Sequence, residues 1–176
     1  MKTKNIKSKI KDYFLLNPTS KLRVRQIERV VNVPLPSVIR YTKELEQENI
    51  LQSLKIANIN VYTANRNSEE FLLEKKLYNL RHLFESNLID YLRQEYSNPL
   101  IFVFGSYATG EDLEESDIDI YVETLKKQVF KLGKYEKILN RKIQVFNYSN
   151  IKKISNKELS NNILNGIKLN GFIEVF

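Results

Sequence analysis

Two short motifs in residues 104–122, FGSYATGEDLEESDIDIYV, contain residue types that can do chemistry. Ten residues lie between Gly105-Ser106 and the pair Asp117-x-Asp119. Aspartates at alternate positions of a strand project from one face, where two carboxylates can share divalent metal ions. A Gly-Ser turn before a helix lets backbone N–H groups and a hydroxyl approach phosphate groups. The plain alternative is a solvated acidic loop, since seven carboxylates fall between Glu111 and Glu123.

The elements that must position these motifs follow from the pattern around them. LIFVF, bounded by Pro99 and Gly105, predicts a buried strand, and DIDIYVE predicts a second strand. Further along, we expect a mostly helical stretch over 127–140, a third strand over 141–147, a helix over 158–169 and a terminal strand or edge segment over 171–176. Residues 98–176 are therefore predicted to form a small mixed sheet with flanking helices.

With its flanking residues, this segment resembles the DNA polymerase β-like nucleotidyltransferase superfamily, in its minimal-nucleotidyltransferase branch. The apolar strand before Gly105, the Gly-Ser turn, Gly110 in the loop, Ser116 and Asp117-x-Asp119 all match the signature of that superfamily. The resemblance implies that Gly105 and Ser106 bind nucleotide phosphates. It implies that Asp117 and Asp119 are catalytic and hold Mg²⁺, with ATP or another nucleoside triphosphate as substrate or ligand.

The chain departs from that signature at one position. The superfamily carries a third carboxylate on the neighbouring strand, which here reads RKIQVF. The position at which we expect that carboxylate is occupied by Gln144. A glutamine amide can neither add charge for a second metal nor accept a proton near neutral pH. We therefore expect an incomplete two-metal site, in which nucleotide binding is retained better than catalysis.

The positive charge of the chain is concentrated at one end. The net charge is +7; residues 1–66 hold 13 Lys and Arg against 5 Asp and Glu, whereas residues 67–176 hold 15 against 16. A localised basic field attracts polyanions, because phosphate contacts release counterions. An AT-rich genome would also raise the lysine content, but it would not explain the asymmetry.

Apolar spacing in the first third of the chain predicts helices within 5–16, 22–32 and 37–50, followed by a hairpin that turns at Ala57-Asn58. With three helices and a terminal hairpin in this order, residues 3–65 resemble a winged helix-turn-helix domain. In such domains the third helix enters the major groove of DNA and the hairpin contacts the backbone or minor groove. The residues this implies for DNA contact are Arg23, Arg25, Ser37, Arg40, Tyr41, Lys43 and Lys55. The alternative is a protein-interaction winged helix in which Arg40 and Lys43 are simply solvated.

The full organisation is that of an α+β protein. We expect a winged helix-turn-helix domain over 1–66, a helical connector over 67–97 with a break near Ser86-Asn87, and a minimal nucleotidyltransferase domain over 98–176. This arrangement resembles archaeal proteins that combine the two domains. The chain has no cysteine, and no stretch has the length and hydropathy of a signal peptide or a membrane span. We expect a cytoplasmic protein without a membrane partner.

Three functions remain open from the sequence. The first is transfer of a nucleoside monophosphate, AMP from ATP, to the hydroxyl of a protein or a small molecule; the family resemblance implies a HEPN-type toxin as one such protein acceptor. The second is a nucleotide-sensing, DNA-binding transcriptional regulator whose nucleotidyltransferase domain is catalytically weak or inactive. The third is a scaffold that only dimerises the winged helix. Double-stranded DNA is an expected partner, and we expect a homodimer because winged helices often bind paired half-sites.

Overall fold

The structure divides the chain into two compact units. It is a computed structural model that describes residues 5–126 and 129–173. Unit 1 spans Met1–Tyr78 and unit 2 spans Asn79–Phe176, so the boundary falls inside the long helix α4, Glu69–Glu85.

Unit 1 begins with three helices and a hairpin. The helices are α1, Ile6–Leu16; α2, Val24–Val31; and α3, Leu35–Gln47. The hairpin pairs β1, Leu51–Ile56, with β2, Ile59–Ala64, in antiparallel register. Ala57 and Asn58 both have positive φ, which a two-residue hairpin turn of this kind requires. The predicted hairpin is therefore confirmed.

The core of unit 1 is made by the apolar faces of these elements. Its fully buried members include Ile10, Phe14, Ile27, Val38 and Leu45, which come from all three helices. Ile10 and Phe14 are four residues apart and Val38 and Leu45 are seven apart, which is the helical spacing that the sequence predicted, whereas Ile39, which the same spacing would place on the buried face of α3, is 42% exposed.

Unit 2 is a four-stranded mixed sheet with helices. Its remaining elements, in chain order, are α5, Leu88–Glu95; β3, Leu100–Phe104; α6, Gly105–Thr109; β4, Ile118–Glu123; α7, Gly133–Leu139; β5, Ile143–Tyr148; a 3-10 turn, Ile151–Lys153; α8, Lys157–Leu164; and β6, Ile167–Asn170. Within the described residues the strand order is β5-β4-β3-β6, with β4 and β5 parallel and the other pairs antiparallel. The predicted mixed sheet and the break between α4 and α5 are both confirmed.

The sheet of unit 2 has a core on each face. Alternate residues of the strands, among them Val103, Ile118 and Ile120, pack with α5, α6 and α7 on one face. Phe102 and Tyr121 lie in the core of the other face, with residues of α8 and the 3-10 turn. Strands buried on both faces form near-continuous apolar runs, as LIFVF does.

Three elements predicted after residue 126 have different bounds in the structure. The helix expected over 127–140 begins only at Gly133; residues 129–132 are not helical, and residues 127–128 lie outside the described part. Phe130 instead stacks on Tyr96, with ring centroids 4.5 Å apart. This tertiary contact outweighs the helical spacing.

The last strand also lies earlier than predicted. α8 ends at Leu164 rather than continuing to residue 169, and β6 occupies Ile167–Asn170 instead of the expected 171–176. Residues 171–173 are not in a strand, and 174–176 lie outside the described residues. Gly166 marks the change: a Cβ there would lie 2.5 Å from the carbonyl oxygen of Val103, so glycine lets this segment approach the end of β3 closely.

No helix among residues 5–126 and 129–173 combines the length and the apolar character that crossing a bilayer requires.

Candidate active site

The Gly-Ser turn lies where β3 ends and α6 begins. Gly105 has φ +69°, in the left-handed region that glycine enters without a Cβ penalty. The chain therefore turns directly from a buried strand into a short helix. Gly110, with φ 84°, ends that helix, and its N–H donates to the carbonyl oxygen of Ser106 at 2.9 Å. The half-buried Ser106 side chain is thus held at the start of a single, tightly closed helical turn.

Asp119 lies directly against this turn. It pairs with Phe104 in the β3–β4 register, one residue before Gly105. A Cβ on residue 105 would lie only 2.7 Å from Oδ2 of Asp119. Glycine is therefore required at 105 by the space as well as by the φ angle. The two motifs, which are separated in sequence, form one surface in the fold.

The two aspartates differ in environment. Asp117 is exposed and precedes β4, whereas Asp119 is half-buried within the strand. Burial raises the pKa of the Asp119 carboxyl, and the negative charge of Asp117 raises it further. A divalent cation would relieve both effects, since it replaces lost hydration and offsets the repulsion between the carboxylates.

Gln144 lies beside Asp119 on the adjacent strand. β4 and β5 are parallel, and their register pairs Asp119 with Gln144. Paired residues of neighbouring strands project from the same face, so the exposed amide of Gln144 belongs to the surface that carries the Asp119 carboxylate. The position expected for a third carboxylate is thus next to the aspartate pair and holds a neutral group.

Nearby glutamates have other partners. Glu123 Oε2 accepts hydrogen bonds from the Tyr121 hydroxyl at 2.8 Å and the Ile151 N–H at 3.0 Å. Glu136 Oε1 accepts from the Ile143 N–H at 3.1 Å. Among residues 5–126 and 129–173, no group of three or more His, Cys, Asp or Glu side chains is arranged to hold a metal. The donor set is therefore two carboxylates and one amide oxygen.

These donors fit one Mg²⁺ ion. Mg²⁺ prefers oxygen ligands and is commonly held by one or two carboxylates together with substrate phosphates and water. Asp117 and Asp119 supply the two carboxylates, and burial together with the negative charge of Asp117 raises the pKa of Asp119. In the part of the chain that the structure describes, no third carboxylate is arranged with this pair to hold a second ion.

A cavity opens beside Asp117. Its volume is about 580 Å³, and charged residues of both signs line it, including Glu115, Lys137 and Lys142. Of the two aspartates, Asp117 borders this cavity. A polar acceptor group entering this cavity would therefore reach the edge of the candidate metal site.

We expect Gly105→Ala to weaken metal-dependent nucleotide binding about tenfold or more, a change of about 1.4 kcal/mol in binding free energy. The new methyl would force the Asp119 carboxylate to move and would strain the backbone by about 1–2 kcal/mol. Titration calorimetry with Mg-ATP measures the affinity. Gly133→Ala is the control for an added methyl group, since nothing lies within 4 Å of a Cβ at that position and Gly133 lines the cavity beside Asp117 rather than the turn. Unchanged affinity in Gly105→Ala would show that this turn does not contact the ligand.

We expect Asp119→Asn to stabilise the metal-free protein at neutral pH. Because its pKa is raised on folding, the folded state binds the proton more tightly, and stability falls as pH rises from the unfolded pKa of about 3.9 through the folded value. Asparagine removes that cost, so the two proteins should converge below pH ~4. Urea denaturation in a chelator measures this. Equal pH dependence of the two proteins would contradict the assigned cause.

The structure places the residues proposed for DNA contact at the surface of unit 1. The exposed ones are Arg23, Arg25, Arg40, Lys43 and Lys55, and Ser37 and Tyr41 are half-buried. Arg40 Nε donates to Glu44 Oε1 at 2.8 Å, and its guanidinium lies 5.2 Å from the centre of the Tyr41 ring. A phosphate that approached Arg40 would therefore compete with Glu44.

An arginine-lined groove runs between α2 and the hairpin. It has a volume of about 600 Å³, and Arg23, Arg25 and Arg29 line it together with Asn60 of β2. Arg29 was not among the predicted residues. Its position, four residues after Arg25 on one helix, would have placed both arginines on the same face. The groove brings three cations together.

Sequence reasoning also missed a buried polar cluster in unit 2. Asp112 and Arg141 form an ion pair with an N–O distance of 3.7 Å, and their side chains are 0% and 7% exposed. Asp112 is one of the seven carboxylates that suggested a solvated loop. A charged residue at a buried position has no signal in a single sequence, because its partner lies 29 residues further along the chain.

Comparisons with known proteins agree with the geometry of unit 2. Residues 85–170 match the family model described as the nucleotidyltransferase domain. Two proteins of Methanocaldococcus jannaschii, both named as candidate protein adenylyltransferases, are similar to the chain. One is 42% identical over 65 residues, 34% of this chain and 76% of that protein. The other is 39% identical over 67 residues, 34% of this chain and 67% of that protein. No solved structure matches significantly. The chain therefore belongs to the nucleotidyltransferase domain family.

Proposed function

We propose that this protein binds ATP with Mg²⁺ and transfers AMP to a hydroxyl group of a protein acceptor. The observation that carries this proposal is the contact between the Gly105 turn and the Asp119 carboxylate, in a chain of the nucleotidyltransferase domain family. A phosphate-binding turn directly beside a metal-binding carboxylate suits a ligand that carries both phosphate groups and a metal ion. A metal-bound nucleoside triphosphate is such a ligand.

Each site residue has a distinct part in this proposal. The backbone N–H groups of the turn and the Ser106 hydroxyl bind phosphate oxygens, and the carboxylates of Asp117 and Asp119 hold the cation. A Mg²⁺ ion held by these two carboxylates would supply positive charge to the phosphate oxygens. The Gln144 amide can orient a hydroxyl by hydrogen bonding, but it does not accept a proton. The acceptor hydroxyl therefore loses its proton to water or to a group that the acceptor brings.

A protein acceptor is favoured by two observations. The relatives from Methanocaldococcus jannaschii are named for adenylyl transfer to proteins. The cavity beside Asp117 is open and lined by both acidic and basic side chains, which suits a charged peptide segment better than an apolar small molecule. A HEPN-type toxin is a specific acceptor to test.

The test uses ATP labelled at two positions. With Mg²⁺ and a cell extract as acceptor source, label at the α-phosphate should appear on a protein, whereas label at the γ-phosphate should not. This pattern distinguishes AMP transfer from phosphoryl transfer, because pyrophosphate leaves with the γ-phosphate. A chelator should prevent labelling. Label from the γ-phosphate on the acceptor would contradict the proposal.

A second candidate function is a nucleotide-sensing, DNA-binding regulator. Two observations favour it: the neutral Gln144 beside Asp119, which weakens catalysis, and the arginine-lined groove of unit 1. In this case unit 1 acts as a winged helix that binds double-stranded DNA, and bound nucleotide alters its affinity. Mg-ATP binding without any labelled product would support this function over transfer.

We expect Arg23→Ala/Arg25→Ala to reduce the salt dependence of DNA binding. Each phosphate contact contributes about 0.9 to the slope of log affinity against log salt concentration, so two lost contacts should lower it by about 1.8. Fluorescence anisotropy with a DNA duplex over a salt series measures the slope. Arg66→Ala is the control, because Arg66 is exposed but does not line the groove. An unchanged slope would remove Arg23 and Arg25 from the proposed interface.

A further inference from the structure

Asp117 lies at the end of a segment that has no regular structure. Residues 111–117 connect α6 to β4 and are neither helix nor strand. A carboxylate on such a segment has no strand ladder to position it, although metal binding needs a ligand held in a defined place. Other contacts must therefore hold the segment.

Arg141 holds the segment at two points. Its guanidinium donates a hydrogen bond to the carbonyl oxygen of Glu114 and lies against the carboxylate of Asp112. The Arg141 side chain is only 7% exposed, although it also lines the cavity beside Asp117, and charge-assisted interactions are stronger when they are shielded from bulk water. One side chain thus links two residues of the segment that leads to Asp117.

Asp112 connects the same segment to the helices of unit 2. Its Oδ1 accepts a hydrogen bond from Asn79 Nδ2 at 2.7 Å, and the same Asn79 amide donates to the carbonyl oxygen of Tyr107 at 2.9 Å. Asn79 lies on α4 and Tyr107 on α6, the helix that begins at Gly105. The start of the segment is therefore tied to the turn proposed to bind phosphate.

The far end of the segment is tied to the neighbour of Arg141. The Ile118 N–H donates to the carbonyl oxygen of Lys142 at 2.9 Å, and Ser116 Oγ accepts from the Leu113 N–H at 2.9 Å. Residues 141 and 142 lead directly into β5, which carries Gln144. Residues 141 and 142 thus hold both ends of the segment 111–117 beside β5.

We propose that Arg141 and Asp112 are positioning residues that fix Asp117 for metal binding; this inference rests on the proposed function. A buried ion pair is a weak source of stability, since desolvation offsets much of the attraction between its charges. Its geometric effect here is specific: a planar guanidinium can contact Glu114 and Asp112 together, whereas a lysine ammonium cannot reproduce the same fork of donors.

The test compares Arg141→Lys and Asp112→Asn with the wild type. Arg93→Lys is the matched control, because Arg93 Nε bonds Asn170 Oδ1 at 2.6 Å elsewhere in unit 2. Two readouts are needed: Mn²⁺ affinity by electron paramagnetic resonance, and amide hydrogen exchange of the metal-free protein. Asp112→Asn keeps the shape of the side chain, so this variant tests the inference if Arg141→Lys does not fold.

We expect both variants to lower Mn²⁺ affinity about tenfold and to speed exchange at residues 113–118 about tenfold, with β3 unchanged. The double variant should lose little more than either single one, because the two residues act through one contact. Wild-type Mn²⁺ affinity in both variants would overturn the inference. If the wild-type protein binds no Mn²⁺, the proposed function and the metal-binding role are overturned. Faster exchange in the variants would in that case still show that Arg141 and Asp112 anchor the segment.

Discussion

Asp117→Asn is expected to lower the rate of AMP transfer by about 10³-fold. Asparagine keeps the shape of the side chain but removes the charge that holds the cation. Metal ions contribute several kcal/mol to stabilising the transition state, and each 1.36 kcal/mol is a factor of about ten in rate. The rate is measured as α-phosphate label transferred to the acceptor under saturating Mg²⁺.

The substitution at Asp117 should leave the fold intact. The side chain is exposed, and exposed substitutions usually change stability by no more than about 0.5 kcal/mol. Asp90→Asn, an exposed aspartate on α5, is the matched control and should transfer at the wild-type rate. A wild-type rate in Asp117→Asn would exclude this carboxylate from the reaction. Loss of transfer together with loss of Mg-ATP binding would show that both depend on it.

Gln144→Asp is expected to raise the transfer rate by about 10²-fold. The register places residue 144 beside Asp119, so a carboxylate there would lie with the aspartate pair and could accept the proton of the acceptor hydroxyl. General-base catalysis by a positioned side chain contributes about 10²–10⁴-fold. The gain should appear mainly in kcat, because the nucleotide-binding groups are unchanged.

Gln144→Asn is the control for this gain. Asparagine and aspartate have the same length, so any difference between the two variants reports charge alone. The new carboxylate also adds repulsion at Asp119, and we expect Gln144→Asp to be less stable than Gln144→Asn without metal and to regain stability with Mg²⁺. If both variants transfer at the same rate, residue 144 does not act as the third carboxylate position.

Together these two variants separate the candidate functions. A transferase loses activity in Asp117→Asn and gains it in Gln144→Asp. A sensor shows no transfer in the wild type, but its Mg-ATP binding is still lost in Asp117→Asn. Transfer that appears only after Gln144→Asp would indicate a site that binds nucleotide and lacks only the base. This last result would favour the regulatory function.

Most elements could be predicted from local pattern. The three first helices, the Ala57-Asn58 hairpin, the break between α4 and α5 and the strands β3 to β5 all follow from apolar spacing and turn residues. The errors lie where distant contacts outweigh that spacing. Phe130 stacks on Tyr96 instead of continuing a helix, and Gly166 allows β6 to approach β3. Neither contact is visible in a short window of sequence.

The sequence by itself determined which chemical groups the candidate site contains. The Gly105-Ser106 turn, the Asp117-x-Asp119 pair and the glutamine at 144 are all local facts, and the resemblance of the first two to a family signature indicated a nucleotidyltransferase. Only the tertiary structure decided how they meet. Three contacts join residues from separate elements: Gly105 lies against the Asp119 carboxylate, Asp119 pairs with Gln144 in the strand register, and Arg141 forms an ion pair with Asp112. Such contacts depend on sheet register and on burial, which are set by packing across the whole unit rather than by neighbours in the chain.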